Sequence, residues 1–235
     1  NPWIVAQVVA VQDTRAWTER DMGLPAPDPV VGMLPPKLAR IMVNLAESAR
    51  PNIPTSGVGI LLDPFCGSGQ IPIEAIRLGW TVVASDLDER AVERTTTNLQ
   101  WSAQTYQIRP AGLNQESLQV FRADIVAISN RVPAGSVDAL VTEPDLGPPL
   151  RSSTAMPSSA VFDNVARTIS LAFAVGRILL RAGGRLVIVI PIITDVRIYD
   201  RLDDSVRSGY TLRARLHYAR PNSRVEREIY VLDRM

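Results

Sequence analysis

Three strand-like runs in this sequence each end on a carboxylate. Asp63 closes the apolar run GILLD, Asp86 closes TVVASD, and Asp124 closes LQVFRAD. After Asp63 come Pro64, Phe65 and Cys66, then Gly67 and Gly69 two apart, then an apolar stretch at helical spacing. Glycines in such a turn let the backbone approach a ligand and adopt dihedrals closed to other residues. Carboxylates at strand tips accept hydrogen bonds from hydroxyl and amino groups and attract cations. A fourth acid, Glu143, closes VDALVTE and leads into Pro144, Asp145 and Leu146. The first three acids and the glycine turn describe a pocket for a polar, positively charged ligand.

The elements that must position these residues alternate between strand and helix. Most of the strands are apolar without alternation, as in a parallel sheet covered by helices on both faces. The fold expected is α/β, mostly parallel, with an antiparallel C-terminal hairpin (211–219 and 225–233) at one edge. WIVAQVVAV, residues 3–11, reads as a buried strand. The prolines of 12–36 read as an irregular arm without regular helix. Pro35 and Pro36 stand where the helix KLARIMVNLAESA begins. A long helix over 158–181 is expected to be capped at Gly183 and Gly184, followed by the strand RLVIVIP and short helical residues over 198–208. The domain reading is residues 1–50 as strand, arm and helix packed on a catalytic domain of residues 51–235.

Bulk composition narrows the function classes. The chain has 235 residues, 46% hydrophobic and 21% charged, and a net charge of +1, which fits one sizeable core. It contains no apolar run long enough for a membrane span and no basic-then-apolar leader. The single cysteine, Cys66, excludes an internal disulfide and a Cys-rich zinc site, and the single histidine, His217, argues against a His-based metal site or triad. This cysteine usage fits a reducing cytoplasm. Lys37 is the only lysine, so the positive charge is nearly all arginine. The chain begins at Asn1, the pattern of a fragment.

A dinucleotide fingerprint reads G-x-G-x-x-G, but here Pro72 stands where the third glycine belongs. A carboxylate at position 63 also repels a pyrophosphate. S-adenosylmethionine, with its ammonium and sulfonium, has the matching sign. Asp86 follows at the distance from which an acid reaches ribose hydroxyls, and Asp124 is expected to accept a bond from an adenine amino group.

DPFCGSGQIPIEA resembles the cofactor loop of class I S-adenosylmethionine-dependent methyltransferases that act on exocyclic amino groups. VAVQDTRAWTERD, GMLPPKLARIMVNLA, LAFAVGRILLRAGGRLVIVIP and REIYVLDR extend the resemblance to the tRNA guanine-N2 methyltransferases, whose N-terminal domain is usually an RNA-binding THUMP domain. The resemblance implies a Rossmann-like sheet, S-adenosylmethionine as cofactor and tRNA as partner, with a THUMP domain outside this chain. It implies that Asp63, Gly67 and Gly69 line the methionine portion, Asp86 the ribose and Asp124 the adenine, with Pro64, Phe65, Leu87 and Ile125 also binding the cofactor. It also implies that the helix start at Pro35, Pro36 and Lys37 closes over the cofactor.

The family's reactive loop reads Asp or Asn, Pro, Pro, aromatic; here it is Glu143, Pro144, Asp145, Leu146. A guanine amino group is a poor nucleophile, and a carboxylate with a proline-fixed carbonyl can orient its lone pair. Leu146 cannot stack as a ring does. Asp145 is expected in solvent or paired with an arginine such as Arg151. Three readings stay open: an enzyme with another stacking partner, a different target such as a DNA amino group, or a cofactor-binding module with little transfer. His217 reads as structural and Cys66 as a packing residue. Arg220, Arg224 and Arg227 read as a solvated turn or as a grip on phosphate. Trp17, Arg20 and Asp21 read as guides for a nucleic acid or, in preference, as pins between arm and body.

Overall fold

The computed structural model describes residues 3–28, 33–47, 59–107, 118–148, 156–220 and 223–235. The apolar runs form β1 (Ile60–Asp63), β2 (Thr81–Asp86), β3 (Leu118–Arg122), β4 (Val137–Thr142) and β5 (Leu180–Ile193). A short β6 (Val196–Arg197) hairpins back onto β5, and β7 (Tyr210–Tyr218) and β8 (Val225–Arg234) finish the chain. The helices are α1 (Thr14–Met22), α2 (Pro36–Ala46), α3 (Gln70–Arg77), α4 (Glu89–Thr105), α5 (Ser159–Leu179) and α6 (Asp204–Arg207).

The strand order is β3-β2-β1-β4-β5-β8-β7, with β1 to β5 parallel and β8 antiparallel to both β5 and β7. The chain steps outward from β1 to β3, then returns to β4 on the other side of β1. That reversal opens a crevice at the carboxyl ends of the strands, where open α/β sheets bind ligands. The antiparallel edge hairpin expected from the sequence is present.

Alternation along the strands feeds two cores. Leu62, Leu140 and Ile188 pack with Ile169 and Phe173 of α5, while Leu61, Val141 and Val187 pack with Met42 and Val43 of α2 and Ile73 of α3. Local chemistry sets the helix starts. Asp13 caps α1 by accepting from Ala16 N at 3.0 Å, Asp88 caps α4 by accepting from Arg90 N at 3.0 Å, and Pro36 opens α2.

Three expectations are corrected. Residues 3–11 are not a buried strand: they pair with no strand among the described residues, and Trp3 is 97% exposed. β-propensity in that run goes unused because no sheet edge meets it. The arm is not free of helix, because α1 fits entirely before the first of its prolines, Pro25. Gly183 and Gly184 do not cap α5. The helix ends at Leu179, Leu180 turns extended, and the glycines fall inside β5. There Gly183 takes a φ of +71° and a Cβ on Gly184 would lie 3.1 Å from the Asp138 carbonyl, so they serve a register shift against β4.

Candidate methyl-donor site

The turn after β1 is held from several sides. Cys66 N donates to Ser85 O at 3.0 Å, and Gly69 N donates to Cys66 O at 2.7 Å. Thr95 of α4 donates to Gly67 O at 3.0 Å, and Asn98, one turn further on, donates to Ser68 O at 2.8 Å. Gly69 has a φ of +86°, and a Cβ there would lie 3.2 Å from Thr95 Cα, so both conformation and contact require glycine. Gly67 has a φ of +54°, and a Cβ would meet nothing within 4 Å. It therefore leaves open space over the turn.

A cavity of about 390 Å³ lies over this turn. Asp63, Phe65, Gly67, Asp86, residues 143–147 and Arg227 of β8 all line it. The structure thus brings together Asp63, Phe65, Gly67, Asp86, Glu143, Pro144, Asp145 and Leu146, all expected from the sequence. Six carboxylates line it against two guanidiniums, Arg94 and Arg227.

Asp63 is 1% exposed, and its Oδ1 accepts from Thr142 Oγ1 at 2.7 Å and Phe65 N at 3.2 Å. Burial pushes its carboxyl up to about 7 against those two hydrogen bonds, with the Asp86 and Glu143 charges adding to the rise. Asp86 accepts from Gly67 N and from Asp88 N, each at 3.0 Å through a different oxygen. A carboxylate has further lone pairs, so ribose hydroxyls can still be met there.

Glu143 is mostly buried, and Arg227 Nε donates to its Oε1 at 2.6 Å. Burial raises the Glu143 carboxyl, and Arg227 opposes that rise. This makes Arg227 a partner of the reactive loop; as a free phosphate grip it is excluded by that bond. Asp145 is exposed and accepts from Gly147 N at 3.0 Å. Its expected partner Arg151 lies outside the described residues. Leu146 is half-buried against the core beside α2 and α3 and also lines the cavity.

Other expected residues stand away from the cavity wall. Asp124 is exposed and caps the short 3₁₀ turn Ile125–Asn130 by accepting from Val126 N at 3.1 Å. Ile125 points into the core on the α5 side, Leu87 is 62% exposed, and Pro64 is buried outside the lining. Pro35, Pro36 and Lys37 line a different hollow; their predecessors Met33 and Leu34 reach the cavity instead. The arm is pinned as expected, through buried Arg20, which donates to Glu74 Oε1 at 2.7 Å beside the Trp17 ring. His217 sits on exposed β7 beside Glu226 at 2.7 Å, and burial raises the Cys66 thiol.

Sequence reasoning missed Thr142, Thr95, Asn98, Gln70 and Glu74. Each is a polar residue, fully or almost fully buried. Thr95 and Asn98, three apart on α4, carried a detectable signal in their helical spacing.

The residues fit S-adenosylmethionine. Its positive groups answer the acid excess, its bulk suits a cavity of this size, and Gln70 Oε1, at the wall, is buried with no partner among the described residues. An ammonium donor satisfies such an atom.

Comparison with known proteins agrees. A tRNA (guanine(10)-N2)-dimethyltransferase of Methanothermobacter thermautotrophicus is 36% identical over 169 residues, covering 66% of this chain and 43% of that protein. The corresponding protein of Pyrococcus abyssi is 28% identical over 200 residues, covering 85% of this chain and 50% of that protein. The chain therefore spans about half the length of these relatives or less. An rRNA methylase structure from Streptococcus thermophilus superposes with a TM-score of 0.52 at 17% identity, over 86% of this chain and 98% of that one, and shows a shared fold. Residues 27–180 match the RMKL-like methyltransferase domain, UPF0020, and the chain belongs to that family.

Proposed function

We propose that this chain is the catalytic part of an S-adenosylmethionine-dependent methyltransferase that acts on an exocyclic amino group of a base in RNA, with guanine N2 of tRNA as the target. The observation that carries the proposal is the single cavity joining the glycine turn, Asp63 and Asp86 to the Glu143-Pro144 loop. The names of its relatives supply the choice of guanine N2 and tRNA.

When bound, S-adenosylmethionine supplies a methyl group on positively charged sulfur, open to in-line displacement. Asp63 and Asp86 would hold the charged and hydroxyl-bearing parts, and Gly67 leaves room for them. Arg227, on Oε1 of Glu143, opposes the upward push of burial on that carboxyl and aims it. Oε2 would then accept a hydrogen bond from the substrate amino group and orient its lone pair for methyl transfer. Pro144 fixes the backbone carbonyl that shares this task. The proton that the amino group gives up passes to the same Oε2. Orientation and charge placement supply the acceleration, with no covalent enzyme intermediate.

A second reading, a cofactor-binding module with little transfer, is favoured by the exposed Asp145 and the core-packed Leu146. Labelled methyl transfer to bulk tRNA and to DNA, followed by nucleoside analysis, separates the readings. Labelled N2-methylguanosine from tRNA is the expected product. Cofactor binding without transfer to either nucleic acid supports the module, and a labelled base in DNA alone supports a DNA amino-methyltransferase.

A further inference from the structure

We infer that a second hollow, beside the methyl-donor cavity, receives a nucleotide that flanks the target base; this rests on the RNA-methylating reading above. The hollow, of about 410 Å³, lies between α1, the start of α2 and the end of β7, with Trp17, Asp21, Pro36, Lys37 and Tyr218 in its wall. One short stretch of chain divides the two spaces. Met33 and Leu34 face the donor cavity, and Pro35, Pro36 and Lys37 face the hollow.

Charge gives the two spaces different tasks. The donor cavity, with its excess of acids, repels phosphate. A strand that inserts a base there must hold its backbone elsewhere, and the adjoining hollow carries Lys37, exposed and the only lysine of the chain. Its Nζ lies 5.8 Å from the Trp17 ring centroid, so a cation and an aromatic face stand together. Buried Arg20 lies 4.2 Å from the same ring and fixes its position. Aromatic faces stack on bases of any sequence, and an adjacent cation meets the phosphate. Asp21 adds an acceptor for a base amino group, and the half-buried Tyr218 ring adds a second aromatic wall. The occupant that fits is an unpaired nucleotide.

The test uses Tyr218→Ala and Lys37→Met in the full chain, with binding of a labelled single-stranded RNA oligonucleotide read by fluorescence anisotropy and methyl transfer to tRNA read in parallel. Each variant is expected to bind the oligonucleotide roughly tenfold more weakly. KM for tRNA is expected to rise while kcat and S-adenosylhomocysteine affinity hold, the latter showing that the variants fold. For Lys37→Met the slope of log affinity against log salt should fall by roughly 0.7, the mark of one lost phosphate contact on a single strand. Unchanged oligonucleotide affinity and KM in both variants overturns the inference while leaving the methylation reading intact. A wild-type chain that binds no oligonucleotide also overturns it. Weakened variants together with a wild type that methylates no RNA remove the methylation reading and leave the hollow as an RNA contact.

Discussion

The glycine turn and the reactive loop line one cavity and are built differently. The turn is held by its own neighbourhood: Asp86, Thr95 and Asn98 fix the amide and carbonyl of Gly67 and the carbonyl of Ser68. The loop depends on distance. Glu143 is aimed by Arg227, 84 positions away on β8, while Asp145 turns to solvent and Leu146 to the core. A site fixed by local backbone constraint keeps a recognisable sequence signature. A site fixed by a remote partner can change its residues and keep its geometry.

The largest expected effect lies in the loop. Glu143→Gln keeps the shape and removes the charge, so kcat for methyl transfer should fall roughly 100- to 1000-fold while S-adenosylhomocysteine affinity holds. An equal loss of cofactor affinity would mean that Glu143 belongs to the cradle.

The turn should respond the other way. In Asp63→Asn, Oδ1 still accepts from Thr142 and Phe65, but the negative charge is gone. Cofactor affinity should fall roughly ten- to a hundredfold, the range for a lost charged hydrogen bond. Stability should move oppositely. The Asp63 carboxyl is raised to about 7 in the folded chain and sits near 3.9 when unfolded. Between those values the folded state holds a proton that the unfolded state has lost, so this group's contribution falls as pH rises through the window. Cofactor-free Asp63→Asn should therefore melt higher than wild type at pH 8 and match it near pH 4. Lower melting at pH 8 would mean that the ionised carboxylate stabilises the fold.

The smallest effect tests the turn's backbone. Gly69→Ala must adopt a left-handed φ against Thr95, costing roughly 1–3 kcal/mol, readable by denaturant unfolding. Gly67→Ala carries the same left-handed strain but meets no neighbour, so it should lose less stability than Gly69→Ala while its methyl enters the cavity and weakens cofactor binding.

The same contrast explains what the sequence disclosed. The sheet was legible because β1, β2, β4 and the second half of β5 are largely apolar, and the turn because Gly67 and Gly69 are demanded by short-range geometry. The Arg227–Glu143 pair was not legible, since the pairing of β8 with β5 sets it. Asp124 caps a 3₁₀ turn through one oxygen, a part that a carboxylate at a strand tip suits as readily as a ligand contact, so the sequence alone does not separate the two. Residues 3–11 misled because β-propensity describes a segment and says nothing of whether a neighbouring strand is there to meet it.

Calorimetric titration of the wild-type chain with S-adenosylhomocysteine across pH 6 to 8 tests the central claim most directly. An acid-lined cradle whose buried carboxylate must ionise to meet an ammonium predicts measurable binding that weakens toward tenfold per pH unit below about 7, with proton release. Absence of binding, or affinity independent of pH over that range, would contradict it.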